Sequence, residues 1–162
     1  MKKIKITLAS DESPALLECA DLLEASPDFE LIASLTDLTG QGAWLALARS
    51  NVLVIDEALV LRDGFEPLNM LLTSYPEVRC LLLLKNYQKN KMIWTLMQGV
   101  RGVLTVDEIR PLIRKAIRQI MAGEIWMPRH LMQPIREGLQ QDGDGSYFFT
   151  KPTAIKEWVK WH

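Results

Sequence analysis

Four consecutive apolar residues, Val52-Leu53-Val54-Ile55, run directly into a carboxylate at Asp56. A run this short reads as a strand, and a strand that is apolar at every position must be covered on both faces. Residues 4–9, which alternate and then become continuously apolar, and residues 29–35, 78–84 and 102–105 read as further strands. Between them, residues 15–24, 39–50, 68–74, 90–98 and 109–122 carry helical patterns. In the first, Leu16, Cys19, Ala20 and Leu23 share a face, with Glu18, Asp21 and Glu24 opposite. Ser13 and Pro14 supply its start signal, Pro27 ends that unit, and Gly99 and Gly123 end the last two helices. In the second, Leu45 and Leu47 are available for burial. Five strands alternating with five helices predict a parallel sheet with right-handed crossovers, a doubly wound α/β sandwich. Ligands of such folds bind at the carboxyl ends of the strands, near the switch point, which directs attention to the residues after the first and third strands.

The chain has 162 residues, of which 48% are hydrophobic, enough for one sizeable core and too little for two full-size domains. A formal net charge of -1 lacks the basic excess of a nucleic-acid binder. Cys19 and Cys80 sit inside apolar patterns at no metal-like spacing, which suits small buried hydrophobes in a reducing cytoplasm. The apolar stretch near the N-terminus is short and broken by Lys5, so no signal peptide is expected. The densest apolar run, residues 80–84, is far too short to span a bilayer. His130 and His162 are the two histidines, and no Ser/His/Asp or Cys/His set assembles around them. The expectation is a non-enzymatic cytoplasmic protein.

Asp11 and Glu12 follow the first strand and Asp56 follows the third, so three carboxylates are expected to converge on one shallow pocket. Like charges raise each other's pKa, and a hard cation with oxygen ligands, most simply Mg²⁺, would resolve the conflict. With the metal bound, one carboxylate could act as a nucleophile towards a phosphoryl group.

The order and spacing of several pieces go further. Asp11-Glu12-Ser13-Pro14 follows the first strand, and Asp63-Gly64 lies beyond Asp56. Gln98-Gly99-Val100-Arg101-Gly102 precedes the fifth strand, and Ala122-Gly123-Glu124 and Trp126-Met127-Pro128-Arg129 follow the last helix. Together, over residues 4–129, they resemble the receiver domain of response regulators, most of all the NarL/LuxR type. The resemblance implies a flavodoxin-like, CheY-like fold acting in two-component phosphorelay signalling. It implies Asp56 as phosphoacceptor, Asp11 and Glu12 as the Mg²⁺-binding acidic pair, and the backbone carbonyl of Ala58 as a further metal ligand. It implies a histidine kinase or another signalling protein as partner, with a second copy of the chain as a candidate for dimer formation.

The departures from the family pattern are as informative. Leu84 stands where the family has Ser or Thr, Val106 where it has Lys, and Val103 where it has an aromatic switch residue. Leu59-Val60 replaces the usual pair after the phosphoacceptor. A phosphoryl group on Asp56 would therefore lack a hydroxyl donor and a cationic partner, each worth about 1.5–3 kcal/mol. Lys85 and Thr105 are substitutes by position, but strand alternation turns neighbouring side chains to opposite faces. A pseudo-receiver, acting as a phosphorylation-independent dimerisation or adaptor module, is the alternative. A further one comes from atypical NarL/LuxR-type regulators that bind cyclic di-GMP through a Trp, a hydrophobe, Ser or Thr, and Arg. Trp126 and Arg129 match that pattern and Pro128 departs from it.

The receiver is expected over residues 1–125, with a linker and helical extension over 126–162. Arg110, Arg114 and Arg118 form a basic stripe, read as a solvated face that in receivers also belongs to the partner surface. Residues 142–146 read as a linker, since the spacing of a calcium loop fails there. Ile155, Trp158 and Val159 give residues 152–162 an apolar stripe to be buried on this chain, a second copy or a partner. The NarL/LuxR type carries a helix-turn-helix domain after its linker. Residues 130–162 show no bihelical pattern, so DNA binding is not expected of this chain, which is compatible with being a fragment of a longer regulator.

Overall fold

The computed structural model describes residues 2–11, 13–128, 139–141 and 147–149. Five parallel strands, β1 (Ile4–Ala9), β2 (Phe29–Leu35), β3 (Val52–Asp56), β4 (Arg79–Leu84) and β5 (Val100–Thr105), form one sheet in the order β2-β1-β3-β4-β5. The order reverses at β1, so the carboxyl ends of β1 and β3 lie side by side, with Ala9 paired to Ile55. Beyond them, Asp56 pairs with Leu83 and Leu84 with Thr105.

Helices cover both faces, which is why β3 and β4 carry no polar residue between their ends. On one side, α1 (Pro14–Glu24) and α6 (Ile109–Met121) lay Leu16, Cys19, Leu23, Ile113 and Ile117 against Ile6, Leu8, Val52, Val54, Leu81 and Leu83. On the other, α2 (Gln41–Ala48), α3 (Glu57–Asp63), α4 (Phe65–Ser74) and α5 (Lys89–Met97) meet Leu53, Ile55, Cys80, Leu82 and Leu84. Alternation along β3 and β4 thus splits each strand between two cores.

The helix starts follow from local chemistry. Ser13 caps α1 by accepting from the Ala15 N–H at 3.1 Å, with Pro14 in the first turn. Helix α2 begins later than the 39–50 pattern suggests, because Asp37 Oδ1 holds the Thr39 and Gly40 N–H groups in a turn. Of its two leucines, Leu47 is buried and Leu45 is 62% exposed.

The segment between β3 and β4 departs most from expectation. It holds two helices where the periodicity showed only residues 68–74. The first, α3, starts directly at the end of β3 with no intervening loop. Gly64, at φ 81, separates it from α4, a conformation that favours glycine. Among the described residues, six α-helices therefore stand where five were expected.

Backbone pairing to the sheet reaches Trp126. Trp126 forms a bridge to Gly102, its N–H donating to the Arg101 carbonyl at 3.0 Å and its own carbonyl accepting from the Val103 N–H at 2.9 Å. Its half-buried ring packs on the α1–α6 core, with Lys115 Nζ 6.0 Å from the ring centroid. A two-stranded antiparallel hairpin, β6 (Leu139–Gln141) and β7 (Tyr147–Phe149), follows, and β7 lies against α5. Glu12, Arg129 and the helix expected over 152–162 lie outside the described residues.

Candidate functional site at the carboxyl ends of the strands

Asp56 is the last residue of β3 and only 5% exposed. Both of its carboxylate oxygens are engaged. Oδ1 accepts the Leu59 N–H at 2.9 Å, which makes Asp56 the N-cap of α3. Oδ2 accepts the Ser10 hydroxyl at 2.8 Å, and the Ser10 oxygen in turn accepts the Ser13 N–H at 2.9 Å. A short hydrogen-bonded chain thus links the start of α1 to the start of α3 across the ends of β1 and β3.

Asp11 lies at the same edge, more exposed, and is held by a cation from within the chain. Arg62, in the last turn of α3, donates from Nη1 to Asp11 Oδ1 at 2.9 Å. Its Nε and Nη2 grip Asp63 at 2.9 and 3.2 Å, and Nη2 also donates to the Thr36 carbonyl at 2.6 Å. Hydrogen bonding to Arg62 holds the Asp63 carboxyl below its ordinary range, and bonding to Asp63 raises the Arg62 guanidinium. One side chain therefore ties α3 to the ends of β1 and β2.

Glu57, the first residue of α3, makes a second ionic contact. Its Oε2 accepts the Lys85 N–H at 3.1 Å, and its Oε1 pairs with Lys91 Nζ on α5. Burial pulls the Lys91 ammonium below its ordinary pKa. Both side chains are sheltered, at most 15% exposed.

The positions that would carry a phosphate signal are apolar or already engaged. Leu84 ends β4 and is buried, while Val106, the first residue of a 3-10 turn over Val106–Glu108, is 44% exposed. The Thr105 N–H and hydroxyl both donate to Glu108 Oε1 at 3.0 Å, a capping box that leads into α6. The Tyr87 hydroxyl donates to the same Glu108 oxygen, and burial raises the phenol's pKa further. Thr105 is thus committed to helix capping, and Lys85 reaches the site through its backbone N–H.

Two of the three carboxylates assigned to a metal are already engaged, and the third, Glu12, lies outside the described residues. Asp11 is held by Arg62, and Asp56 has given its oxygens to Ser10 and Leu59. Ala58 is the second residue of α3, where helix geometry turns its carbonyl along the axis towards the C-terminal end, away from the strand ends. Among the described residues, no three His, Cys, Asp or Glu side chains group closely enough to hold a metal ion.

The basic stripe of α6 is also spent internally. Arg110 pairs with Glu18 at 3.1 Å and Arg114 donates to the Ser26 hydroxyl at 3.3 Å. Arg118 reaches Asp28 at 2.7 Å and lies 5.3 Å from the Phe29 ring centroid. Among the described residues, no helix is long and apolar enough to cross a membrane.

Ser10, Glu57, Arg62 and Lys91 were not singled out by their sequence context. Arg62 had one available signal, because Asp56, Glu57 and Arg62 are placed as the cap, acidic first turn and basic last turn of a short helix. Lys91 had none, since 34 residues separate it from Glu57.

No protein-family model matches the chain. In sequence it is 26% identical over 120 residues to the DNA-binding transcriptional activator DevR/DosR of Mycobacterium tuberculosis, a match covering 74% of this chain. The match takes in 55% of DevR/DosR, so the chain spans about half the length of this curated relative. In structure it is similar to a LuxR-family two-component response regulator from Aurantimonas, with TM-score 0.70 and 20% identity over 84% of this chain and 97% of the other. It is also similar to the isolated receiver domain of RcsB from Salmonella enterica serovar Typhimurium, with TM-score 0.71 and 16% identity over 83% and 99% of the two chains. The five-stranded parallel sandwich is therefore the receiver-domain fold, and the chain's neighbours in sequence and structure are response regulators of the LuxR/NarL type.

Proposed function

We propose that this chain is a cytoplasmic pseudo-receiver, a module of two-component signalling that works by protein–protein contact and does not turn over phosphoryl groups at Asp56. The observation that carries this reading is the state of the Asp56 carboxylate. It is buried, caps α3 with one oxygen and accepts the Ser10 hydroxyl with the other. A nucleophilic role would require freeing one of these oxygens, at a cost of about 1–3 kcal/mol for the buried donor left unsatisfied. A phosphoryl group would then meet Leu84 and Val106 instead of a hydroxyl and an ammonium. The partner is another signalling protein or a second copy of this chain.

The test is the mass of the intact protein after incubation with Mg²⁺ and acetyl phosphate, with folded Asp56→Ala protein as control. No mass gain is expected. A gain of one phosphate that disappears in the control would overturn the reading and return the chain to the phosphorylated receivers. Partner capture with wild-type and Asp56→Ala protein is the companion experiment, and equal capture is expected.

A further inference from the structure

We infer that Arg62 is a built-in counter-cation for the acidic strand ends, doing with a side chain what a divalent metal would otherwise do. The inference deepens the pseudo-receiver reading and rests on it.

Asp11, just beyond the end of β1, and Asp63, at the end of α3, both present a carboxylate oxygen to Arg62. Such a group of charges needs a cation nearby. Arg62 supplies one with a geometry suited to the task. Its planar fork makes a two-point contact with Asp63, at 2.9 and 3.2 Å, and its remaining donors reach Asp11 and the Thr36 carbonyl. A guanidinium keeps its charge across the working pH range and bonds carboxylates through two atoms at once. It also joins the ends of β1, β2 and α3, the kind of cross-linking a bound ion would provide.

The placement depends on the departure of this chain from the expected loop. Helix α3 begins directly at Asp56 and carries Arg62 in its last turn, beside Asp63. With a loop after β3 and no helix, the side chain of residue 62 would not be fixed in this direction. The early helix start that consumes Asp56 as a cap also delivers the cation to Asp11.

A resident positive charge discourages a second cation in two ways. It repels the ion, and it occupies the Asp11 oxygen that would ligate it. Across a few ångströms of water-like medium, repulsion between a divalent ion and one guanidinium weakens binding by about tenfold.

The test is a titration with Mn²⁺, free ion being counted by its paramagnetic resonance signal, with Mg²⁺ as competitor and no phosphodonor present. Wild-type protein and Arg62→Lys, which keeps the charge, are expected to show no saturable site at millimolar ion. Arg62→Gln and Arg62→Met are expected to gain one site, at least about tenfold tighter than any binding to wild type, which Asp11→Asn removes again. Arg62 is 41% exposed, so these substitutions leave the core untouched, and a thermal melt confirms that each variant is folded. Equal binding by wild type and Arg62→Gln overturns the inference, whether both bind or neither does, as does tighter binding by wild type. Because no phosphodonor is used, a chain that proves to be phosphorylated would overturn the pseudo-receiver reading on its own mass result, separately from this titration.

Discussion

The hydroxyl of Ser10 donates to Asp56 Oδ2 at 2.8 Å, and through this contact the residue after β1 locks the residue that ends β3. Asp56 serves here as a joint between elements. Replacing it by Ala removes the cap of α3 and leaves the Ser10 hydroxyl without its acceptor, so a loss of about 1–2 kcal/mol in unfolding free energy is expected. Asp56→Asn, which keeps an acceptor oxygen, should lose less. Urea unfolding followed by circular dichroism measures both. Unchanged midpoints would show that the carboxylate carries no structural load.

Glu57 and Lys91 join the start of α3 to α5 at a sheltered site. Removing one partner leaves the other charge uncompensated, whereas removing both leaves none. In a cycle of Glu57→Gln, Lys91→Met and the double variant, the singles should each destabilise, and the double should be less destabilised than their sum by about 1–3 kcal/mol. Strict additivity would mean that the two side chains do not interact in solution.

Cys19 and Cys80 are both buried, and burial pushes each thiol up to about 12. At pH 8 neither should react with iodoacetamide in the folded protein, while both should react in urea; mass spectrometry counts the adducts. The same shifts fix a direction for stability. The folded-state values lie above the ordinary 9.0, so in the unfolded chain the thiols ionise first as pH rises. The contribution of keeping them neutral is fully present below about 9 and is lost between about 9 and 12. The urea midpoint should fall across that window, and a Cys19→Ala, Cys80→Ala variant should show a smaller fall.

Gly102 is where the end of the receiver is stitched to its sheet. A Cβ there would lie 2.8 Å from Leu81 Cδ1, 3.1 Å from Ile120 Cγ2 and 3.2 Å from Trp126 Cβ. Gly102→Ala should therefore cost about 1–3 kcal/mol through overpacking. Because Trp126 must move to make room, its fluorescence should also shift. A stable variant with an unchanged spectrum would mean that the Trp126 bridge yields easily.

The sheet was legible in the order of residues because its cause is local. The apolar runs of β3 and β4 demand cover on both faces, and the amphipathic segments between the strands provide it. The strand Phe29–Leu35 and the helix that begins at Pro14 fall where their patterns put them. Helix α3 was less legible, because it buries only Leu59 and Val60 and its strongest signal, a capping Asp, is equally the signal of a reactive carboxylate. The placement of Asp11 and Asp56 at one edge of the sheet also follows from the pattern, through the strand order that alternation of strands and helices imposes. What those carboxylates do follows from contacts made far along the chain. Ser10 and Asp56 are 46 residues apart, Asp11 and Arg62 51, and Glu57 and Lys91 34. No periodicity encodes such pairs. Hydrophobic patterning is a property of neighbours in the chain, so it places the cores and the acidic strand ends, though not the burial of each apolar residue, as the exposed Leu45 shows. Only the tertiary structure decided that those acids are capped, paired and neutralised from within, because hydrogen bonds and ion pairs depend on distances that exist once the chain has folded.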